Sequence, residues 1–166
     1  GRMEEARVSY QKSPKKHPDN PDGWCNLGLV LIELENYEQA EDAFRQALDY
    51  APDLSDARVN LAYVLMEQRR FGDAVDCCRR ALDLDPAHVD ALNNLARACM
   101  CRGDHRQAAK AIEKAVVLDP NHIGAQQAMA IQHFLHGRWS QAWVCYETRW
   151  QIETARKRRF PQPLWQ

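Results

Sequence analysis

Residues 21–54 read PDGWCNLGLVLIELENYEQAEDAFRQALDYAPDL. Trp24, Leu27, Gly28 and Leu31 fall three or four residues apart, the spacing of one buried helical face. A second helix begins near Glu38 and runs to about Tyr50, with Ala40, Phe44, Ala47 and Leu48 as its inner face. Pro52 closes the unit because its ring cannot continue a helix. From Pro52 to Pro86 to Pro120 the step is 34 residues each time, and the apolar pattern moves with it. The second copy is Leu61, Ala62, Leu65, Ala74, Cys78, Ala81 and Pro86. The third is Leu92, Leu95, Ala96, Cys99, Ala108, Ile112, Ala115 and Pro120, and a fourth begins with Met129, Ala130, Ala142 and Tyr146.

A helix pair repeated at this period with these residue types resembles the tetratricopeptide repeat. The resemblance covers nearly the whole chain and implies an all-α fold, a right-handed α-solenoid of about four and a half helix-turn-helix units. The units are 21–54, 55–88, 89–122 and 123–156, preceded by a truncated unit at 1–20 that keeps only its second helix. A basic, proline-bearing tail occupies 157–166. Ala6, Tyr10 and Pro18 precede Ala40, Phe44 and Pro52 by one period, so the chain opens in mid-repeat and reads as part of a longer array. Between them and the first full unit, "PKKHPDNPD" at 14–22 carries three prolines and is a turn.

The small residues predict where helix axes approach most closely. Gly28 is expected to face Ala40, as Ala62 faces Ala74, Ala96 faces Ala108 and Ala130 faces Ala142. Phe44, Cys78, Ile112 and Tyr146 are expected to fill the grooves between repeats. Gly72, Gly103 and Gly137 fall in or near the turns inside each pair, where a positive φ costs glycine little. Asp56 and Asp90 suit the positive ends of their first helices. The fourth unit departs from the pattern at Arg149 and Thr154, so its second helix is expected to run on through Ile152 toward Ala155.

Composition narrows the functions. A net charge of −1 gives no overall pull toward nucleic acid or anionic membranes. No apolar run approaches the roughly 20 residues of a transmembrane helix, and the first residues lack the apolar core of a signal peptide. Of six cysteines, Cys78 stands for the aromatic of the second helix and Cys99 for a leucine. Buried thiols of this kind suit a reducing, cytoplasmic setting. Cys77, Cys78, Cys99 and Cys101 lie on adjacent helices. Consecutive helix residues point about 100° apart, which makes Cys77 and Cys78 poor joint zinc ligands. His133 and His136 have helical spacing without a third ligand. No metal, cofactor or catalytic constellation is expected, and the chain reads as a binding module rather than an enzyme.

Asn26, Asn60 and Asn94 recur once per unit at one place on the first helix. In the tetratricopeptide family first helices line the concave surface, so the resemblance implies three carboxamides in phase along its inside. A carboxamide both donates and accepts, matching the main chain of an extended peptide. The same residues could instead cap or bridge turns. Ala128 ends the series in the fourth unit. Leu29, Tyr63 and Arg97 join the ladder as expected peptide contacts, Met66 and Met100 add apolar surface, and Glu33 and Glu67 add charge. The clamp by which some members grip a chaperone's C-terminal carboxylate is not expected. Cys25 and Leu29 stand where it needs Lys and Asn, and Asp56 and Asp90 stand where it needs a cation.

The ladder resembles the repeats of O-GlcNAc transferases and their bacterial relatives. The stretches Tyr146-Glu147-Thr148-Arg149-Trp150 and Arg159-Phe160-Pro161-Gln162-Pro163-Leu164-Trp165 resemble the junction joining such repeats to a glycosyltransferase-like domain. That implies a catalytic part beyond Gln166, with this array presenting substrate to it. The alternative for the tail is a C-terminal cap over the last helix pair. The partner expected on either reading is a protein or peptide, and the exposed ends of a solenoid offer a third possibility, self-association into a homo-oligomer.

Overall fold

The computed structural model describes residues 19–153. Eight helices pair in chain order: α1 Pro21–Glu33 with α2 Tyr37–Tyr50, α3 Ser55–Glu67 with α4 Phe71–Leu84, α5 Val89–Cys101 with α6 His105–Leu118, and α7 Ile123–Leu135 with α8 Trp139–Glu153. The all-α solenoid read from the sequence is the fold observed. The truncated helix expected over 2–12 and the tail from 157 lie outside the described residues.

Each first helix packs on its own second helix, each second helix packs on the next first helix, and successive first helices also touch. Successive second helices lie farther apart in backbone and are bridged by long side chains, as where Arg79 Nη2 donates to Gln107 Oε1 at 3.1 Å. The array therefore curves with α1, α3, α5 and α7 on its inner wall.

One turn design joins every pair. In the first, the Glu35 N–H donates to the Ile32 carbonyl at 2.9 Å and the Asn36 N–H to that of Leu31 at 2.8 Å. This is the Schellman arrangement, which satisfies the last carbonyls of a helix and needs a left-handed residue just past it. The same pair of bonds recurs at Arg69 and Arg70, Gly103 and Asp104, and Gly137 and Arg138. The left-handed residues are Glu35, Arg69, Gly103 and Gly137, with φ of 56°, 61°, 80° and 69°. Gly72 was expected among them, but it is the second residue of α4, and Arg69 takes the left-handed place in that repeat. The residue after each left-handed one immediately precedes the next helix. Asn36 and Asp104 cap it by accepting from the N–H of Gln39 and Gln107.

The core is a ribbon of small residues with larger ones between them. Ala40, Ala74, Ala108 and Ala142 are wholly buried, as are Phe44 and Cys78. Burial pushes the Cys78 thiol up to about 12, with Cys77 and Cys99 adding to it, so it serves as a small apolar filler. One expected contact is different. The nearest neighbour of Gly28 is not Ala40 but the ring of Phe44, and a Cβ on residue 28 would lie 2.6 Å from the Phe44 Cζ. The ring thus fills the interior of its own pair, where the sequence reading had placed it between repeats. It fits there because glycine supplies no Cβ.

Polar ties join one repeat to the next. The buried Glu41 on α2 accepts from Arg70 Nη1 at 2.6 Å across the repeat boundary and also pairs with Arg45. His88 Nε2 lies 3.0 Å from Asp56 Oδ1, and one period on, His122 Nε2 lies 2.9 Å from Asp90 Oδ1. His122 Nδ1 accepts from the Ala125 N–H, which caps α7 and leaves the ring proton on Nε2 to meet Asp90. Asp56 and Asp90 thus sit in the first turns of α3 and α5, as expected, and each also pairs with the residue that caps the next first helix.

The fourth repeat is looser. His133 replaces the core residues Leu31, Leu65 and Cys99 of the earlier repeats, and its Nδ1 is buried with no partner. Around it opens a cleft of about 610 Å³ lined by Val116, Gln126, Met129, Arg138, Val144 and Cys145 among others. α8 is helical as far as Glu153, one residue past the place set by Tyr50, Leu84 and Leu118, and its expected continuation toward Ala155 lies outside the described residues.

Candidate functional site

The inner wall is the surface with unspent side chains. On each first helix the asparagine position lies three residues before a second wall position and seven before a third, which places all three on one face. Read along the array, the second position is Leu29, Tyr63, Arg97 and Ile131, and the third is Glu33, Glu67, Cys101 and Leu135. Leu29 and Ile131 are 45% and 47% exposed.

The three asparagines differ in depth. Asn26 is exposed, Asn60 is half-buried, and Asn94 is buried. The Asn94 carboxamide donates from Nδ2 to the Val59 carbonyl at 3.3 Å, bracing α5 against α3. One rung of the ladder is therefore engaged within the solenoid, while Asn26 has its side chain toward solvent. Met66, expected on the surface, is buried at 7% and belongs to the core; Met100 is half-buried.

Tyr63 and Arg97 come together. The guanidinium carbon of Arg97 stands 5.8 Å from the centre of the Tyr63 ring, and its Nη2 lies 3.9 Å from Glu67 Oε1. Burial raises the Tyr63 hydroxyl above its ordinary value, as does Glu67; Arg97 pulls the other way, and Glu33 and Glu35 push it up. Tyr37, at the start of α2, is raised by burial and by the neighbouring Tyr63, Glu67 and Glu35. Both phenols thus feel the charge of carboxylates on the first two repeats, offset at Tyr63 by Arg97.

The sequence reading found Glu33 and Glu67 but not Glu35 and Tyr37, which lie at the turn and not on the first-helix face. It also passed over the His88–Asp56 and His122–Asp90 ties. Their signal was present, since both His and Asp recur 34 residues apart. Among the described residues no three His, Cys, Asp or Glu side chains are placed to hold a metal ion. No helix among them is long and apolar enough to cross a membrane.

Solved structures of low identity share the fold. MamA from Desulfovibrio magneticus RS-1, from residue 41 to its end, superposes with a TM-score of 0.77 at 21% identity, covering 95% of this chain and 89% of that one. YrrB, described as a tetratricopeptide repeat protein with an unusual peptide-binding site, gives 0.68 at 20% identity over 92% and 78%. The first repeat domain of Spaghetti (RPAP3), solved with the HSP90 peptide SRMEEVD, gives 0.65 at 20% identity over 70% and 93%. No curated protein sequence matches the chain. The tetratricopeptide repeat family profile matches residues 25–87 and 59–123, which together span more than half of the sequence. With that match and the recurring helix pairs, the protein belongs to the tetratricopeptide repeat family.

Proposed function

We propose that this chain is a protein-interaction scaffold whose inner wall binds an extended or helical segment of a partner protein. The observation that carries the reading is the open face of α1 and α3. There Asn26, Leu29, Asn60 and Tyr63 keep exposed or half-exposed side chains on helices whose other faces are buried. YrrB and the Spaghetti domain, which share the fold, are described with peptide-binding or peptide-bound surfaces, and that supports the reading. The chain acts by binding and not by catalysis, on a protein and not on nucleic acid or membrane, in the cytoplasm.

The test is anisotropy of a fluorescent random twelve-residue peptide pool on the whole chain and on an Asn26→Ala/Asn60→Ala variant. A net hydrogen bond is worth about 0.5–1.5 kcal/mol, so losing two should weaken binding by about fivefold or more. Unchanged binding with intact helicity would move recognition off this wall.

A second reading, that the array presents polypeptide substrate to a glycosyltransferase domain, is favoured by the in-phase asparagines and by the sequence at 159–165. Main-chain capture serves that role because it tolerates many sequences. Under it, pools of different composition bind alike; under the first reading they separate.

A further inference from the structure

Resting on the groove reading above, we infer that the segment bound on the inner wall is basic, with a Lys or Arg side chain seated over the first two repeats and an apolar stretch running toward the fourth. The wall changes character along its length. Its third position passes from Glu33 and Glu67 through Cys101 to Leu135, which is 63% exposed. Beside it the second position ends at the exposed Ile131.

At the first two repeats the third wall position carries the exposed Glu33 and Glu67, with the exposed Glu35 in the turn just past Glu33, and their charges raise the phenols of Tyr37 and Tyr63. Arg97 answers only Glu67, and among the described residues no cation lies within ion-pairing distance of Glu33 or Glu35. The local balance is therefore negative. The way Arg97 is held shows how these groups treat a cation: guanidinium over the Tyr63 ring, charge toward a carboxylate. A partner's Lys or Arg arriving beside Glu33 and Glu35 meets two exposed carboxylates on the same repeat. An acidic segment would add repulsion to surface that is already unbalanced. This is the opposite polarity from an array that grips a carboxylate.

Two fluorescein-labelled ten-residue random pools decide it. They are matched except that one carries two Lys or Arg residues and the other two Asp or Glu. Each exposed pair contributes about 0.2–1 kcal/mol, so the basic pool should bind about fivefold tighter at low salt. The preference should shrink by 0.5 M salt, where the screening length falls to a few ångströms. In Glu33→Gln/Glu35→Gln, with melting temperature as the folding control, the two pools should bind almost equally, at the acidic pool's affinity or above. Equal binding of both pools to the unaltered chain overturns the basic preference and favours the substrate-presenting reading of the same wall. A preference that survives in the variant overturns the assignment to Glu33 and Glu35. Failure of both pools to bind overturns the inference and the groove reading together.

Discussion

Gly28→Ala should destabilise the solenoid even though alanine is the better helix former. Replacing glycine inside a helix is worth about 1 kcal/mol in propensity. Against it stands the new Cβ, which would sit 2.6 Å from Phe44 Cζ and 2.8 Å from Cε1 and Cε2. Carbon atoms rest at about 3.5–4.0 Å, so the ring must withdraw by about 1 Å. It has nowhere to go, because Phe44 is 0% exposed and its helix neighbours Ala40, Ala43 and Ala47 are buried too. Overpacking of this kind costs about 1–3 kcal/mol. A planar ring held from all sides belongs in the upper part of that range, which leaves a net loss of about 1–2 kcal/mol. For a chain of this size that is about 3–6 °C in melting temperature.

The other repeats supply the rescue. The second and third pair Ala62 with Cys78 and Ala96 with Ile112, a smaller residue beside each alanine, while the looser fourth repeat carries Ala130 and Tyr146 at the same two positions. Phe44→Ile alone should cost stability by leaving a void, but Gly28→Ala/Phe44→Ile recreates the third repeat's pair and should lose much less than the sum. Urea melts of the four proteins followed by circular dichroism give the coupling energy, expected at 1 kcal/mol or more. Additive losses, or a Gly28→Ala chain that melts higher than the parent, would refute the claim that the ring sets the residue at 28.

Four other outcomes follow from the same reasoning. Arg69→Gly, and separately Glu35→Gly, should raise stability by about 0.5–1 kcal/mol, because each removes a side chain from a left-handed backbone that glycine adopts freely; an unchanged thermal midpoint would count against strain there. Glu41→Ala should cost about 1–2 kcal/mol by cutting the tie to Arg70, moderated because that guanidinium, 40% exposed, can turn to water; a chemical melt reads it. Asn94→Ala should lower stability by about 1 kcal/mol through its lost bond to Val59, whereas Asn26→Ala should leave the melt within about 0.5 kcal/mol. Burial, then Arg138 and His136, lower the His133 pKa below its ordinary 6.5. The unfolded chain then binds the proton more readily, so stability is complete above about pH 7 and falls as pH drops through 6.5 toward the folded value. His133→Leu should flatten that fall in pH-dependent melts and raise the midpoint.

The fold was legible because a 34-residue period leaves little choice. Every first helix begins and ends one period after the last, and the buried alanines mark the same places each time. What the period could not reveal was which substitutions at equivalent positions compensate one another. Phe44 against Gly28 is a relation between two helices, visible only when the ring is seen to occupy the missing Cβ. The left-handed turns were hidden for a similar reason. Two of the four carry Glu35 and Arg69, so a search for glycine found Gly72, which is helical, and passed over both.

The asparagine ladder exposes the limit of arguing function from phase alone. Three residues at one template position were expected to offer one kind of contact, yet their burial increases from Asn26 through Asn60 to Asn94. The cause lies with their neighbours. Asn94 sits where α5 meets α3 closely enough to reach the Val59 carbonyl, and a carboxamide at that depth gains more from an internal bond than from a passing peptide. Asn26, on α1, has its side chain toward solvent. A residue's use is therefore set by what packs beside it in the adjoining repeat, and the period reports only its direction. By the same logic the wall side chains left free for a partner concentrate over α1 and α3. That is also where Glu33 and Glu67 lie, so the main-chain capture and the charge selection proposed above would fall on the same two helices.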